Sequence, residues 1–149
     1  MISRRDIFRV SIGLTLAGRL RGQGVVSPVA LEVAVVRRTR YIRGLRPIDF
    51  RVLEDGIPQR IAVFAEGPDA PVVVNEDGST RPLLSGELGD DQQWISSVRE
   101  DPENSYLLAY YPNPSNRNEG FREIRIEIIP DTARQWRVRH RPGYRPAYR

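Results

Sequence analysis

From Val29 onward the apolar positions fall into short runs broken by turn residues, with none of the three-to-four spacing that marks a long helix. Val29-Ala30-Leu31-Glu32-Val33-Ala34-Val35-Val36 is rich in β-branched residues and alternates well enough for a half-buried strand, which Arg37 to Arg40 end. Asp49-Phe50-Arg51-Val52-Leu53-Glu54 meets Asp55-Gly56, and Ile61-Ala62-Val63-Phe64 follows. Asp-Gly between apolar runs predicts a hairpin, because both residues tolerate positive φ and the twist of that turn matches that of paired strands. Pro71-Val72-Val73-Val74 reaches a second such turn at Asp77-Gly78 and continues through Leu83 and Leu84. Asp90 to Val98 predicts a two-turn helix with an Asp cap and Trp94, Ile95 and Val98 on one side.

Strand patterns then return. Tyr106 to Tyr111 stops at Pro112, Asn113 to Gly120 reads as a polar loop, and Phe121 to Ile129 alternates with period two for nine residues. A last strand over Trp136 to Arg141 places Trp136, Val138 and His140 on one face and Arg137, Arg139 and Arg141 on the other. The expected fold is all-β: an antiparallel, immunoglobulin-like β-sandwich of about six to seven strands with at most one short helix. Residues 25–149 are read as that single domain, with an acidic, irregular connection near 75–104.

The first 24 residues follow a different pattern. Ser3-Arg4-Arg5-Asp6-Ile7-Phe8-Arg9 precedes the weakly apolar run Val10 to Gly18, which is too short for a hydrocarbon core that needs ~20 residues. A charged start with a short apolar stretch is the layout of a secretory signal. Arg4 and Arg5, with Phe8 and Arg9 after them, resemble the twin-arginine export motif, with Phe one place later than in the family pattern. This implies a periplasmic or extracellular location; the other reading is a basic first helix of a cytoplasmic protein.

Composition changes the picture mainly through charge. All 23 basic residues are arginine against 19 acids, a net charge of +4. Residues 1–24 hold five arginines and one Asp, so the body from residue 25 is formally neutral and has no bulk electrostatic reason to bind nucleic acid. Within the body the signs segregate, with net charges of +4 over 37–60, −8 over 66–103 and +5 over 117–149. Twelve Pro and twelve Gly favour strands joined by turns. The lack of Cys removes disulfides, thiolate metal sites and cysteine nucleophiles, and a single His removes multi-histidine metal sites.

Candidate chemistry is sparse. His140 is expected to be half-buried beside Trp136 and Val138 rather than a catalytic base. The pairs Glu76-Asp77, Asp90-Asp91 and Glu100-Asp101 carry oxygen donors without the spacing of a calcium loop. Tyr106 and Tyr110 share a face with Leu108 while Tyr111 points the other way, which suits core packing with hydroxyls at the rim. The row Arg137, Arg139, Arg141 is the candidate anion or partner contact, unless Glu123 and Glu127 on a neighbouring strand neutralise it. No catalytic residue, cofactor or metal ligand is expected.

Two stretches resemble one family. Gly44-Leu45-Arg46-Pro47-Ile48-Asp49-Phe50-Arg51-Val52-Leu53-Glu54-Asp55-Gly56 through Phe64 is similar to the N-terminal signature of bacterial von Willebrand factor A-related proteins. Ser105 to Pro112, Phe121 to Ile124 and Val138-Arg139-His140-Arg141-Pro142-Gly143-Tyr144 are similar to their C-terminal end. In that family a Rossmann-like A domain with an Asp-x-Ser-x-Ser metal motif lies between the two. Here about 40 residues separate Phe64 from Ser105, and Asp77, Ser79 and Arg81 stand where that motif would be. The resemblance thus implies the flanking β module without its α/β domain, its two signatures closing one core. The function that follows is an exported, non-catalytic interaction module with a protein or cell-envelope partner, no nucleic acid and no transmembrane span. A degenerate remnant of such a protein and a hydrolase are the other readings.

Overall fold

Eleven strands, one α-helix and three short 3-10 turns make up the computed structural model, which describes residues 27–147. The fold is all-β and antiparallel, two sheets facing each other as in a sandwich. The larger sheet joins β1 (Val29–Arg37), β2 (Arg40–Tyr41), β5 (Ile61–Glu66), β6 (Val72–Val74), β7 (Thr80–Pro82), β8 (Tyr106–Tyr110) and β10 (Arg137–Arg139). Its order is β10-β1-β8-β5-β6-β7, with β2 on β1. The smaller sheet runs β11-β9-β3-β4, from β3 (Phe50–Glu54), β4 (Ile57–Gln59), β9 (Arg122–Ile128) and β11 (Gly143–Tyr144). The strand number exceeds the expected six to seven because six of the eleven are pairings of only two or three residues.

Alternation decides what the sheets bury. Val29, Leu31, Val33 and Val35 of β1 and Tyr106, Leu108 and Tyr110 of β8 face Phe50 and Val52 of β3 and Ile124 and Ile126 of β9, with Val138 packed against the cluster. Phe50, Phe64 and Tyr106 form an aromatic centre with ring centroids 5.2 to 5.9 Å apart. The two ends of the chain therefore close one core, as expected, with Phe50, Val52, Ile124, Ile126 and Val138 meeting in it. Residues Pro28–Pro146 make one compact unit around it.

The second face of the large sheet is also buried. Ala30, Val63, Ala65, Val73, Leu107 and Ala109 lie there, along with buried Leu88 and with Ile95 of helix α1 (Asp90–Ser97). A β-bulge at Ala62 makes this possible: Ile61 is opposite Tyr110 and Val63 is opposite Ala109, so Ala62 has no place of its own in the register. Ile61 and Phe64 consequently both point into the sandwich, which simple alternation forbids.

Several expectations need correction. The Asp55-Gly56 turn exists, with φ of 49° and 78°, but it joins β3 to β4, and Ile61–Glu66 belongs to the other sheet. The return strand is three residues long and lies at the edge of its sheet, the place where Pro58, opposite Leu53, is tolerated without an N–H, and past Arg60 the chain crosses over. The helix is capped by Gly89, with Asp90 and Asp91 in its first turn; Ile95 is buried, while Trp94 stays 47% exposed with its indole N–H donating to the Pro28 carbonyl at 3.3 Å. Within the 75–104 connection β7 follows the expected turn at Asp77-Gly78, α1 is the expected helix, and a 3-10 turn at Pro102–Asn104 is added. The last strand stops at Arg139. Beyond it the chain leaves β1 and joins β9 of the other sheet as β11, closing one side of the sandwich.

Candidate functional site

The densest convergence of polar groups lies inside the sandwich, around Glu54. The side chain falls in phase with Phe50 and Val52 on the inner face of β3, and it is fully buried. Four donors reach its carboxyl group. Tyr110 of β8 donates to Oε1 at 3.0 Å, Tyr144 of β11 donates to the same oxygen, and Asn116 Nδ2 and Arg122 Nη1 reach Oε2 at 2.8 and 3.3 Å. Arg122 in turn donates through Nε to the Asn118 carbonyl at 2.7 Å and through Nη2 to the Asn116 carbonyl at 3.2 Å. The network thus links both sheets and the 111–121 loop. Burial, then the neighbouring Glu54 carboxylate, raises the Tyr110 hydroxyl well above the usual phenol range, and burial does the same to Tyr144.

Beside it, Asp55 accepts from Asn116, from Asn118 and from the Glu123 amide at 3.1, 3.0 and 2.8 Å. The Asn118 hydrogen bond is the main reason its carboxyl sits below the usual range. Every converging group in this region binds another member of it, the arrangement that makes a buried polar network a rigid scaffold. Sequence reading missed it, although the sign was there: Glu54 and Arg122 occupy the apolar phase of their strands, in step with Val52 and Ile124.

The arginine row is not a row. Arg137 and Arg139 are exposed and stand opposite Val36 and Ala34. Arg141 lies past the strand, donates to the Ala30 carbonyl at 3.0 Å and places its guanidinium 5.8 Å from the Tyr144 ring centre. Glu123 and Glu127 do not neutralise them, because β9 is in the other sheet; Glu127 pairs with Arg51 at 3.7 Å and with Arg125. Arg4 and Arg5, and the export signal read from them, lie outside the described residues.

The remaining candidates have local roles. His140 is half-buried with Nδ1 2.6 Å from the Arg141 carbonyl oxygen. Asp77 Oδ1 accepts from both the amide and the hydroxyl of Ser79, and the hydroxyl bond is the main reason its carboxyl sits below the usual range. Arg81 is engaged by Glu87 in an ion pair. Tyr106 donates to the Ile42 carbonyl at 2.8 Å and accepts from the Leu45 amide at 3.1 Å; Tyr111 points the other way and donates to Asp91 at 3.3 Å. Among the described residues no group of three or more Asp, Glu or His side chains converges as metal ligands do, and no helix is long and apolar enough to cross a membrane.

Comparison of the chain with protein-family models, with curated proteins and with solved structures finds no match.

Proposed function

We propose that the chain is an exported, non-catalytic β-sandwich module that docks on a component of the cell envelope, similar to the flanking part of von Willebrand factor A-related proteins. One observation carries this reading: the Gly67 amide donates to the Ser105 carbonyl at 2.9 Å, so the two ends of the 68–104 stretch, which carries β6, β7 and α1, lie side by side. Closely spaced ends are what insertion or removal of a domain requires. The two stretches that carry the resemblance are paired at Glu54↔Ile124 between β3 and β9 and at Phe64↔Leu108 between β5 and β8. The buried polar groups are used to hold this scaffold, and outward-pointing basic groups such as Arg137 and Arg139 are left for contact.

Cell fractionation tests the reading. The full chain should be recovered with the envelope, Arg4→Lys/Arg5→Lys should hold it in the cytoplasm because lysine lacks the guanidinium geometry, and Arg137→Gln/Arg139→Gln should release it from the envelope into the soluble exported fraction. Cytoplasmic recovery of the unaltered chain, or a hydrolase turnover abolished by Glu54→Gln, would overturn it.

A further inference from the structure

We infer that the end of the large sheet built from the β1–β2 hairpin and β10 is a docking surface for an anionic lipid bilayer. The inference rests on the reading of an interaction module and names its partner. At this end three strands lie side by side, since Val36 of β1 is opposite Tyr41 of β2 on one flank and opposite Arg137 of β10 on the other. Arg37 is opposite Arg40 across the hairpin, Arg38 occupies its tip, and Arg139 stands two residues behind Arg137, ~7 Å along the strand. All five arginines are exposed, and none makes an ion pair among the described residues, where the pairs formed use Arg46, Arg51, Arg60, Arg81, Arg122 and Arg125.

Two features of this end work against folding. Arg37 and Arg40 are like charges directly opposite on paired strands, a destabilising arrangement. Arg38 has φ of 57°, at the first central position of a two-residue turn where glycine is the residue without steric cost. Among the described residues no ion pair offsets the repulsion, and features of this kind that work against folding persist where they serve a function.

The distribution of the charge selects the partner. Side chains alternate along a strand, so Arg37 and Arg40 project on one face of the sheet, Arg137 and Arg139 on the other, and Arg38 between them at the tip. An acidic peptide lying along one face or one edge would meet only part of this set. A plane of anionic headgroups approached end-on meets Arg37, Arg38, Arg40 and Arg137 within about one Debye length, ~8 Å at physiological salt, with Arg139, opposite Ala34, ~10 Å behind Arg37. Guanidinium groups suit lipid phosphates because their paired N–H donors match phosphate oxygens. Tyr41, 39% exposed beside Val36, adds an amphipathic ring of the kind that sits at headgroup level.

Co-sedimentation of the full chain with phosphatidylcholine vesicles, with and without phosphatidylglycerol, tests this at physiological salt. Binding should require phosphatidylglycerol and weaken as salt rises. Arg37→Gln/Arg38→Gln/Arg40→Gln should lower the partition coefficient about a hundredfold, at about fivefold per arginine. Arg51→Gln/Arg117→Gln/Arg125→Gln removes the same charge elsewhere and should cost less than fivefold. If the first variant fails to fold, Arg137→Gln/Arg139→Gln replaces it, with a loss of about twenty-five-fold expected. Equal losses in cluster and control variants, or no binding to phosphatidylglycerol vesicles, would overturn the inference, as would binding of duplex DNA or an acidic peptide in their place. Vesicle binding by a chain found in the cytoplasm would overturn the export reading alone, whereas envelope recovery without vesicle binding would overturn the lipid partner alone.

Discussion

Arg122 and Glu54 form an ion pair across neighbouring strands of the small sheet, Nη1 to Oε2 at 3.3 Å, with side-chain exposures of 7% and 0%. A pair so thoroughly removed from water is sustained by its surroundings: Tyr110 and Asn116 supply further donors to the carboxyl, and two loop carbonyls accept from the guanidinium. The pair fixes where the 111–121 loop and the last strand lie, because both are attached to it.

Breaking one side of the pair should cost more than removing both. Glu54→Ala leaves a buried guanidinium without its counter-charge and should lose ~3 to 5 kcal/mol in urea denaturation. Glu54→Leu combined with Arg122→Met should cost clearly less than the sum of the two single changes. Strict additivity would show that the two side chains do not act as a pair.

Gly143 is required by close approach. A Cβ there would lie 2.1 Å from the Arg122 carbonyl oxygen and 2.6 Å from the Phe121 ring, and the oxygen belongs to the backbone of the paired strand. Gly143→Ala should therefore detach β11, costing ~1 to 3 kcal/mol. Amide exchange at Ile124, whose N–H donates to the Pro142 carbonyl at 2.8 Å, should accelerate, while Val33 in the large sheet should stay protected.

Stability should fall at alkaline pH. Burial pushes the Tyr106 hydroxyl from 10.0 up to about 12, and Tyr110 and Tyr144 are raised as well. The unfolded chain loses these protons first, so the stabilisation is complete below pH ~10 and declines as pH rises through the folded values. The urea midpoint should drop steadily above pH ~10, and Tyr106→Phe should make that drop shallower while lowering stability at neutral pH through loss of the bonds to Ile42 and Leu45. A flat midpoint across this window would contradict the burial argument.

Relieving the hairpin tip should stabilise the protein. Arg38 holds a left-handed φ of 57°, which costs an L-residue ~1 to 2 kcal/mol and glycine almost nothing. Arg38→Gly should raise stability by ~1 kcal/mol once the greater freedom of glycine in the unfolded chain is offset. An unchanged or lower melting temperature would mean that the turn holds no strain.

The period-two pattern made the inner faces legible: Phe50 and Val52 fall on one side of their strand and Ile124 and Ile126 on one side of theirs, and the four meet in one cluster. It was less informative where one residue changes the phase. The bulge at Ala62 turns Phe64 into the sandwich, and no local feature of Ile61-Ala62-Val63-Phe64 announces it. The crossing between sheets after Arg139 was equally hidden, because Trp136 to Arg141 alternates as though it were one strand. That crossing separates Arg141 from Arg137 and Arg139, so the three do not form the continuous row that alternation predicts. Glu54 and Arg122 were overlooked for the opposite reason: charged residues were assigned to the surface by type, although their phase placed them inside.

The position of β1 also has a consequence for how the protein is made. Its partners are Tyr106–Val33 pairing in β8 and Arg139–Ala34 pairing in β10, so a strand translated early waits for segments some 70 to 105 positions later. At ~5 to 20 residues per second, ribosomal synthesis leaves the run from Val29 to Ala34, beyond the reach of the β2 hairpin, without its sheet neighbours for roughly 4 to 20 s. During that interval the nascent chain presents a β-branched, aggregation-prone edge. Its assembly is therefore completed from the C-terminal side, and a holdase that shields the first strand until Arg139 has emerged should improve yield more than a slower elongation rate would.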